Sequence, residues 1–363
     1  MGRLVAAIIA IAAAGLAVAA RSSEAPRPAP RSAGAVTLTL PQLVGQHMVF
    51  AYDGLQPPPA LRRRIARGEA AGVILFARNV RSSTQVRRVV RSLQAIERPR
   101  GLRAPLLVMA DQEGGPVRRI PGAPARAAGD VQTAAQARAD GLAAARTLRS
   151  AGVNMNLAPV ADVARPGAAL ERERRIYSRS ADAVASRAGA FTQGLHDGGV
   201  RATAKHFPGF GAASVNTDNA PARIDAPLET LRRVDLKPFA AQIAAGVDAI
   251  MVSTAVYGAR DTRPAAFSSR WVTSELRGRM GFGGVVIADD LGTPAVRAYG
   301  SVGRRAVLAV RAGVDLPLFS MTYADGARAA AGLVAAARRN EISRGALRVH
   351  AGRVLALRKR LPG

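Results

Sequence analysis

The chain has 363 residues and carries 52 Lys+Arg against 25 Asp+Glu, a formal charge of +27 at pH 7. Hydrophobic residues make up 48% and aromatics 4%, which provides for a sizeable core and argues against disorder throughout and against a base-stacking nucleic-acid module. Cys is absent, which excludes thiolate zinc sites, iron–sulfur clusters, Cys nucleophiles and disulfides. His47, His196, His206 and His350 are not at metal-ligand spacing, so no metal and no cofactor are expected.

The charge is carried by arginine, since lysine occurs only at Lys205, Lys237 and Lys359. The arginines are spread along the chain and no recognition motif accompanies them, so specific nucleic-acid binding is not expected. Loose attraction to anionic cell-wall polymers or a membrane surface is allowed for.

Residues 1–20 read as an export signal: Arg3, an apolar run from Leu4 to Leu16, and an Ala17-Val18-Ala19 cleavage pattern. An uncleaved anchor is the alternative. Residues 21–37, rich in Pro, Ala, Ser and Arg, read as a flexible linker, and 38–363 as the folded domain.

From there short apolar runs alternate with longer amphipathic stretches. Strands are expected at Met48–Tyr52, Gly72–Phe76, Pro105–Ala110, Val153–Ala158, Val200–Lys205, Ala249–Ser253, Gly284–Ala288 and Val314–Phe319. Helices are expected at Ser83–Ile96, Ala134–Ala151, Ala181–His196, Leu228–Ala245 and Val302–Ala312, with one or two closing helices between Tyr323 and Leu361. Eight strands alternating with helices predict an α/β fold, a single (β/α)8 TIM-type barrel. An open doubly wound sheet is the alternative, but no G-x-G-x-x-G follows the first strand.

In such a barrel the chemistry lies past the carboxyl ends of the strands. Asp111 and Glu113 follow the third run, Asp162 the fourth, Lys205 and His206 the fifth, Asp289 and Asp290 the seventh. Polar and charged residues recurring at one rim point to a site. An Asp directly after Val285-Val286-Ile287-Ala288 suits a carboxylate nucleophile, while Asp290 suits a cap on the next helix.

The segments GVILFARN (72–79), ADQEGGPVRR (110–119), MNLAPVADV (155–163), KHFPGFG (205–211) and GFGGVVIADDL (281–291) resemble glycoside hydrolase family 3, most of all its single-domain β-N-acetylglucosaminidase branch. The resemblance runs from about Leu43 to Phe319. It implies a retaining glycosidase with Asp289 as nucleophile and with Asp111, Arg119, Arg175, Lys205 and His206 gripping the sugar. Asp162 is expected to be a structural hydrogen-bond acceptor, and Glu113 to support its turn. One departure stands out. The family's Asp-His acid/base dyad falls on Asn216 and Asp218, Phe210 replaces a His, and Thr254 stands where His or Asn is usual. Asp218 is then the candidate acid/base, with Glu113 as a second candidate. Two functions follow: an exported glycosidase acting on amino-sugar polymers such as peptidoglycan fragments, or a sugar-binding pseudoenzyme of the same fold. A third reading is a polyanion-binding surface protein. A monomer is expected.

Overall fold

The computed structural model describes residues 37–361. The expected export signal, and all of the expected linker except Thr37, lie outside the described residues. In chain order the main elements are α1 (Leu40–Gly45), β1 (Val49–Phe50), α2 (Pro59–Ala66), β2 (Gly72–Leu75), α3 (Ser83–Gln94), β3 (Leu107–Ala110), α4 (Ala134–Ser150) and β4 (Met155–Asn156). They continue with α5 (Ala181–Asp197), β5 (Arg201–Phe207), α6 (Leu236–Ala244), β6 (Ala249–Val252), β7 (Val285–Ala288), α7 (Val302–Ala312), α8 (Tyr323–Arg338) and α9 (Arg344–Lys359). Seven strands pair in sequential order, each parallel to the next, and the result is a TIM-like (β/α) fold.

Strand parity decides which side chains face the ring. Val49, Ile74, Leu107, Met109, Met155, Ala249, Met251, Val285 and Ile287 form one interior cluster. The alternate residues Phe50, Val73, Leu75, Val108, Ile250 and Val286 join the larger cluster that packs the helices. Successive Cβ atoms point to opposite faces of a strand, so Asp111, two residues past Met109, and Asp289, two past Ile287, continue the inward set. Thr203 pairs with Ala249 and Lys205 with Met251, which puts Lys205 on the same face.

The expected strand Met48–Tyr52 is regular only over Val49–Phe50, and two others differ for one reason. Of Val153–Ala158 only Met155–Asn156 is strand. Here Asn154 and Asn156 replace ladder bonds with side-chain ones: Val108 N donates to Asn154 Oδ1 at 2.9 Å and Gln112 N to Asn156 Oδ1 at 2.9 Å. The segment 314–319 is not a regular strand. It makes isolated parallel bridges, Leu316 to Ile287 and Phe319 to Phe50, and so links the two edge strands. The Asp315 carboxylate takes Val286 N at 2.8 Å, and the Asp290 carboxylate takes Ser320 N at 3.2 Å. Carboxylates thus do the work of backbone carbonyls along this seam.

The helices start at side-chain caps. Ser82, Thr133, Ser180, Ser301, Thr322 and Ser343 each accept a backbone N–H of the first turn of α3, α4, α5, α7, α8 and α9. The expected helix Leu228–Ala245 is interrupted: Leu231–Asp235 is a π-helical turn, and α6 begins after it. A wide π-type helix, Arg270–Arg279, lies between β6 and β7. Its buried Glu275 gathers Arg232, Arg260 and Arg279.

Candidate active site

The carboxyl ends of the strands open into a cavity of about 430 Å3. Its walls include Asp111, Arg119, Arg175, Lys205, His206, Asp218 and Asp289, while Glu113, the second candidate acid/base, is not among the lining residues. Phe76, Arg78, Phe210, Asn216, Asp290 and Met321 complete much of the rim.

The floor is a chain of alternating charges. Lys205 Nζ donates to Asp111 Oδ1 at 2.7 Å and lies 2.7 Å from Glu113 Oε1. Arg175 grips Glu113 with both arms, Nε at 2.9 Å and Nη2 at 2.8 Å, and its Nη1 donates to Glu173 at 3.1 Å. Arg119 Nε stands 3.6 Å from Asp111 Oδ2, an ion pair without a hydrogen bond, leaving the guanidinium available to a ligand. Burial opposes the charge on Glu113, but Arg175 and then Lys205 hold its carboxyl well below the usual range. Burial likewise opposes Lys205, yet Asp111 and Glu113 together keep its pKa above the ordinary lysine value. Glu113 therefore stays ionised and is a poor proton donor, which removes it as a candidate acid.

The KHFPGFG segment is fixed from two sides. Asp162, fully buried, accepts His206 Nδ1 at 2.8 Å, His206 N at 3.1 Å and Phe210 N at 2.7 Å. The contact with Asp162 engages Nδ1 of the imidazole and leaves Nε2 for a ligand. Behind the loop, Gly209 has φ +123°, and a Cβ there would come within 2.6 Å of Asp235 Cβ. A Cβ at Gly211 would strike Val163 O at 2.0 Å. Gly209 lets the loop close on Asp235, and Gly211 lets it lie against Val163.

Asp235 Oδ2 accepts Arg165 Nη2 at 2.8 Å, and its other oxygen has no hydrogen-bond partner among the described residues. Burial, against the pull of Arg165, moves its pKa from 3.8 up to about 7. A raised carboxyl pKa favours the folded state below the unfolded pKa, and that advantage is lost as pH rises through about 7. Asp235→Asn is therefore expected to gain stability relative to wild type between pH 5 and pH 8, by roughly 3 kcal/mol. Thermal melts at the two pH values check it; a difference that does not change with pH would contradict this reading.

Asp289 is half-buried at the end of β7, and its Oδ1 accepts Asp290 N at 2.8 Å. Asp290 was expected to cap the next helix. Instead its Oδ1 accepts Gly292 N at 2.7 Å and Ser320 N at 3.2 Å, and its Oδ2 accepts the Ser320 hydroxyl. It ties the β7 exit to the 314–320 seam, while Ser301 caps α7. Desolvation raises the Asp289 pKa, His206 opposes the rise, and the charge of Asp218 adds to it. Desolvation and then Asp290 raise that of Asp218, which stands at the solvent edge of the cavity. Both carboxyls are thus held above the ordinary aspartate range, a condition that favours the protonated form needed of a general acid.

Asn216 donates to Glu173 Oε1 at 3.3 Å and accepts Asp218 N at 3.0 Å. Thr254 is buried and does not line the cavity. Sequence reasoning assigned no role to Glu173 or Asp235, nor to the stacking of Arg78 over Phe76 at 4.8 Å. Among the described residues no group of three His, Cys, Asp or Glu is placed to hold a metal ion.

Carboxylates, a buried lysine and forked arginines at the mouth of a parallel (β/α) ring define a hydrolase pocket of the sugar-binding kind. Residues 39–357 match the glycosyl hydrolase family 3 N-terminal domain, and the chain belongs to that family and is a glycosyl hydrolase. It is 37% identical over 341 residues to an "uncharacterized secreted glycosyl hydrolase" of Arthroderma benhamiae, covering 91% of this chain and 96% of the relative. It is 40% identical over 259 residues to a beta-hexosaminidase of Xanthomonas euvesicatoria pv. vesicatoria, covering 68% of this chain and 75% of that one. The crystal structure of beta-N-acetylhexosaminidase from Beutenbergia cavernae superposes with a TM-score of 0.82 at 34% identity, covering 89% of this chain and 99% of that chain.

Proposed function

We propose that the chain is an exported retaining β-N-acetylhexosaminidase whose nucleophile is Asp289 and whose acid/base is Asp218, on a (β/α)8 barrel closed through 314–319. The observation that carries the reading is the gathering of Asp289, Asp218, Lys205, Asp111, Arg175 and His206 around one cavity. The relatives named as hexosaminidases support an N-acetylated amino sugar in it, such as those of peptidoglycan fragments.

In the first step the Asp289 carboxylate attacks the anomeric carbon, the glycosidic C–O bond breaks, and the Asp218 carboxyl protonates the departing oxygen. In the second, the Asp218 carboxylate takes a proton from water, the water oxygen attacks the same carbon, and Asp289 leaves as a carboxylate. Two inversions give retention. Asp111, Arg119, Arg175 and Lys205 hold the sugar hydroxyls and amide through charge-assisted hydrogen bonds. His206 offers Nε2 beside the nucleophile.

Trapping with a 2-deoxy-2-fluoro sugar donor, followed by peptide mapping, tests the assignment: the label is expected on Asp289, and a label elsewhere would overturn it. An aryl N-acetylglucosaminide with a good leaving group should turn over faster than a natural disaccharide. Both substrates inert, with measurable sugar binding, would make the chain a sugar binder.

Export rests on Arg3, the apolar run and Ala17-Val18-Ala19. The word "secreted" in the name of the Arthroderma relative fits it. No helix among the described residues is long and apolar enough to cross a membrane. The exported protein is expected to begin near Ala20 or Arg21. Terminal sequencing that finds Met1 would mean an anchor.

A further inference from the structure

We infer that Glu173 is a positioning residue for the general acid/base: through Asn216 it holds the loop that carries Asp218. The inference rests on the reading of Asp218 as acid/base and adds to it the device that places that residue. The loop from Gly211 to Asn216 is laid along the 165–173 segment by a row of bonds. Arg165 N donates to Gly211 O at 2.8 Å, Ala169 N to Ala213 O at 2.8 Å, and Arg172 Nη2 to Ser214 O at 2.9 Å. The row ends at Glu173, whose Oε1 accepts Asn216 Nδ2 at 3.3 Å while its Oε2 accepts Arg175 Nη1 at 3.1 Å. Asn216 Oδ1 in turn accepts Asp218 N at 3.0 Å. Lys205, Glu113, Arg175, Glu173 and Asn216 thus run as one connected chain from the floor of the cavity to the backbone of Asp218.

This chain explains the residue type at 216. The position must donate to a carboxylate on one side and accept a backbone N–H on the other. An amide does both, whereas an ionised Asp can only accept. An Asp at 216 would set its carboxylate against that of Glu173 at the distance now bridged by a hydrogen bond, and like charges so close repel. Asn216 and Glu173 therefore form a matched pair, with Asn216 standing where the resemblance leads one to expect the Asp of an Asp-His dyad.

The test uses the whole enzyme, two substrates and six variants. Glu173→Ala is expected to lower kcat on an unactivated β-N-acetylglucosaminide by roughly 10- to 100-fold, the scale of a misplaced catalytic group. On an aryl glycoside with a good leaving group, which needs little proton donation, it should lose only about twofold, with KM nearly unchanged. Glu173→Gln keeps one acceptor, enough for Asn216 but not for Arg175 as well, and should lose less than Glu173→Ala. Asn216→Asp should be impaired, and adding Glu173→Gln should restore it. In an Asp218→Ala background, Glu173→Ala should add no further loss.

Outcomes separate the inference from the reading beneath it. If Asp218→Ala cripples the unactivated substrate but Glu173→Ala does not, the positioning role is overturned and Asp218 stands. If the losses from Glu173→Ala and Asp218→Ala multiply, Glu173 acts elsewhere and the inference fails. An equal loss on both substrates, or Asn216→Asp that Glu173→Gln does not relieve, overturns it too. If Asp218→Ala changes nothing on either substrate, the acid/base reading falls and the inference with it.

Discussion

Asp289→Ala is expected to abolish turnover, by roughly four or more orders of magnitude in kcat/KM, as befits the loss of a covalent nucleophile. The expectation follows from place and chemistry together. Asp289 ends an apolar strand whose inward residues are Val285 and Ile287, and the cavity opens directly above it. Stability should not suffer. Desolvation raises the Asp289 pKa in the folded protein, so its ionised form opposes folding as pH rises. The alanine variant is expected to melt at or above the wild-type temperature at pH 8, with less advantage at pH 5. The shortened side chain also leaves room for a small anion. Azide should restore part of the activity on an activated aryl glycoside and give a glycosyl azide of inverted configuration, because only one displacement then occurs. Wild-type-like turnover by the variant, or an azide product of retained configuration, would remove Asp289 from the role.

Much of this site is legible in the sequence because parallel strands make their ends conspicuous. An apolar run buried on both faces stops where the first charged residue appears, and Asp111, Lys205 and Asp289 are such residues. Parity then tells which of two neighbours faces inward, and it separates Asp289 from Asp290. What the sequence does not convey is who pairs with whom. Glu113 reads as a turn residue, yet it is the carboxylate that joins Lys205 to Arg175. Glu173 sits in the stretch Glu171-Arg172-Glu173-Arg174-Arg175, where alternating charges look like a solvated surface. The long reach from Asn216 makes it special, and no periodicity announces a contact across 43 positions. The fold shows the same limit. Val153–Ala158 and Val314–Phe319 look like ordinary strands, but the side chains of Asn154, Asn156 and Asp315 take over ladder bonds and shorten the regular pairing.

Rebuilding an Asp-His dyad in this loop is the second large effect, and Glu173 decides whether it succeeds. Asn216→Asp with Asp218→His is expected to fall short alone, because the new carboxylate at position 216 would meet Glu173 across the 3.3 Å now closed by the amide. With Glu173→Gln added, the carboxylate gains a donor in place of a like charge, and it becomes free to orient the imidazole two residues on. His suits both proton transfers near neutral pH, with an ordinary pKa of about 6.5. The charges of Asp290 and Asp111, which raise the Asp218 pKa, would favour the imidazolium at the same place, while desolvation and the neighbouring His206 and Arg175 would oppose it. The triple variant should therefore hydrolyse unactivated β-N-acetylglucosaminides faster than wild type, the gain approaching the roughly 10²–10⁴-fold of general acid catalysis where Asp218 contributes little. Activated aryl glycosides should gain far less, since their leaving groups depart without a proton. The measurement is a pair of kcat/KM values for each variant on the two substrates, with sugar binding followed separately. A triple variant that binds sugar as wild type does and gains on neither substrate would mean that position 218 does not reach the glycosidic oxygen. Proton donation would then have to come from another group at the cavity mouth.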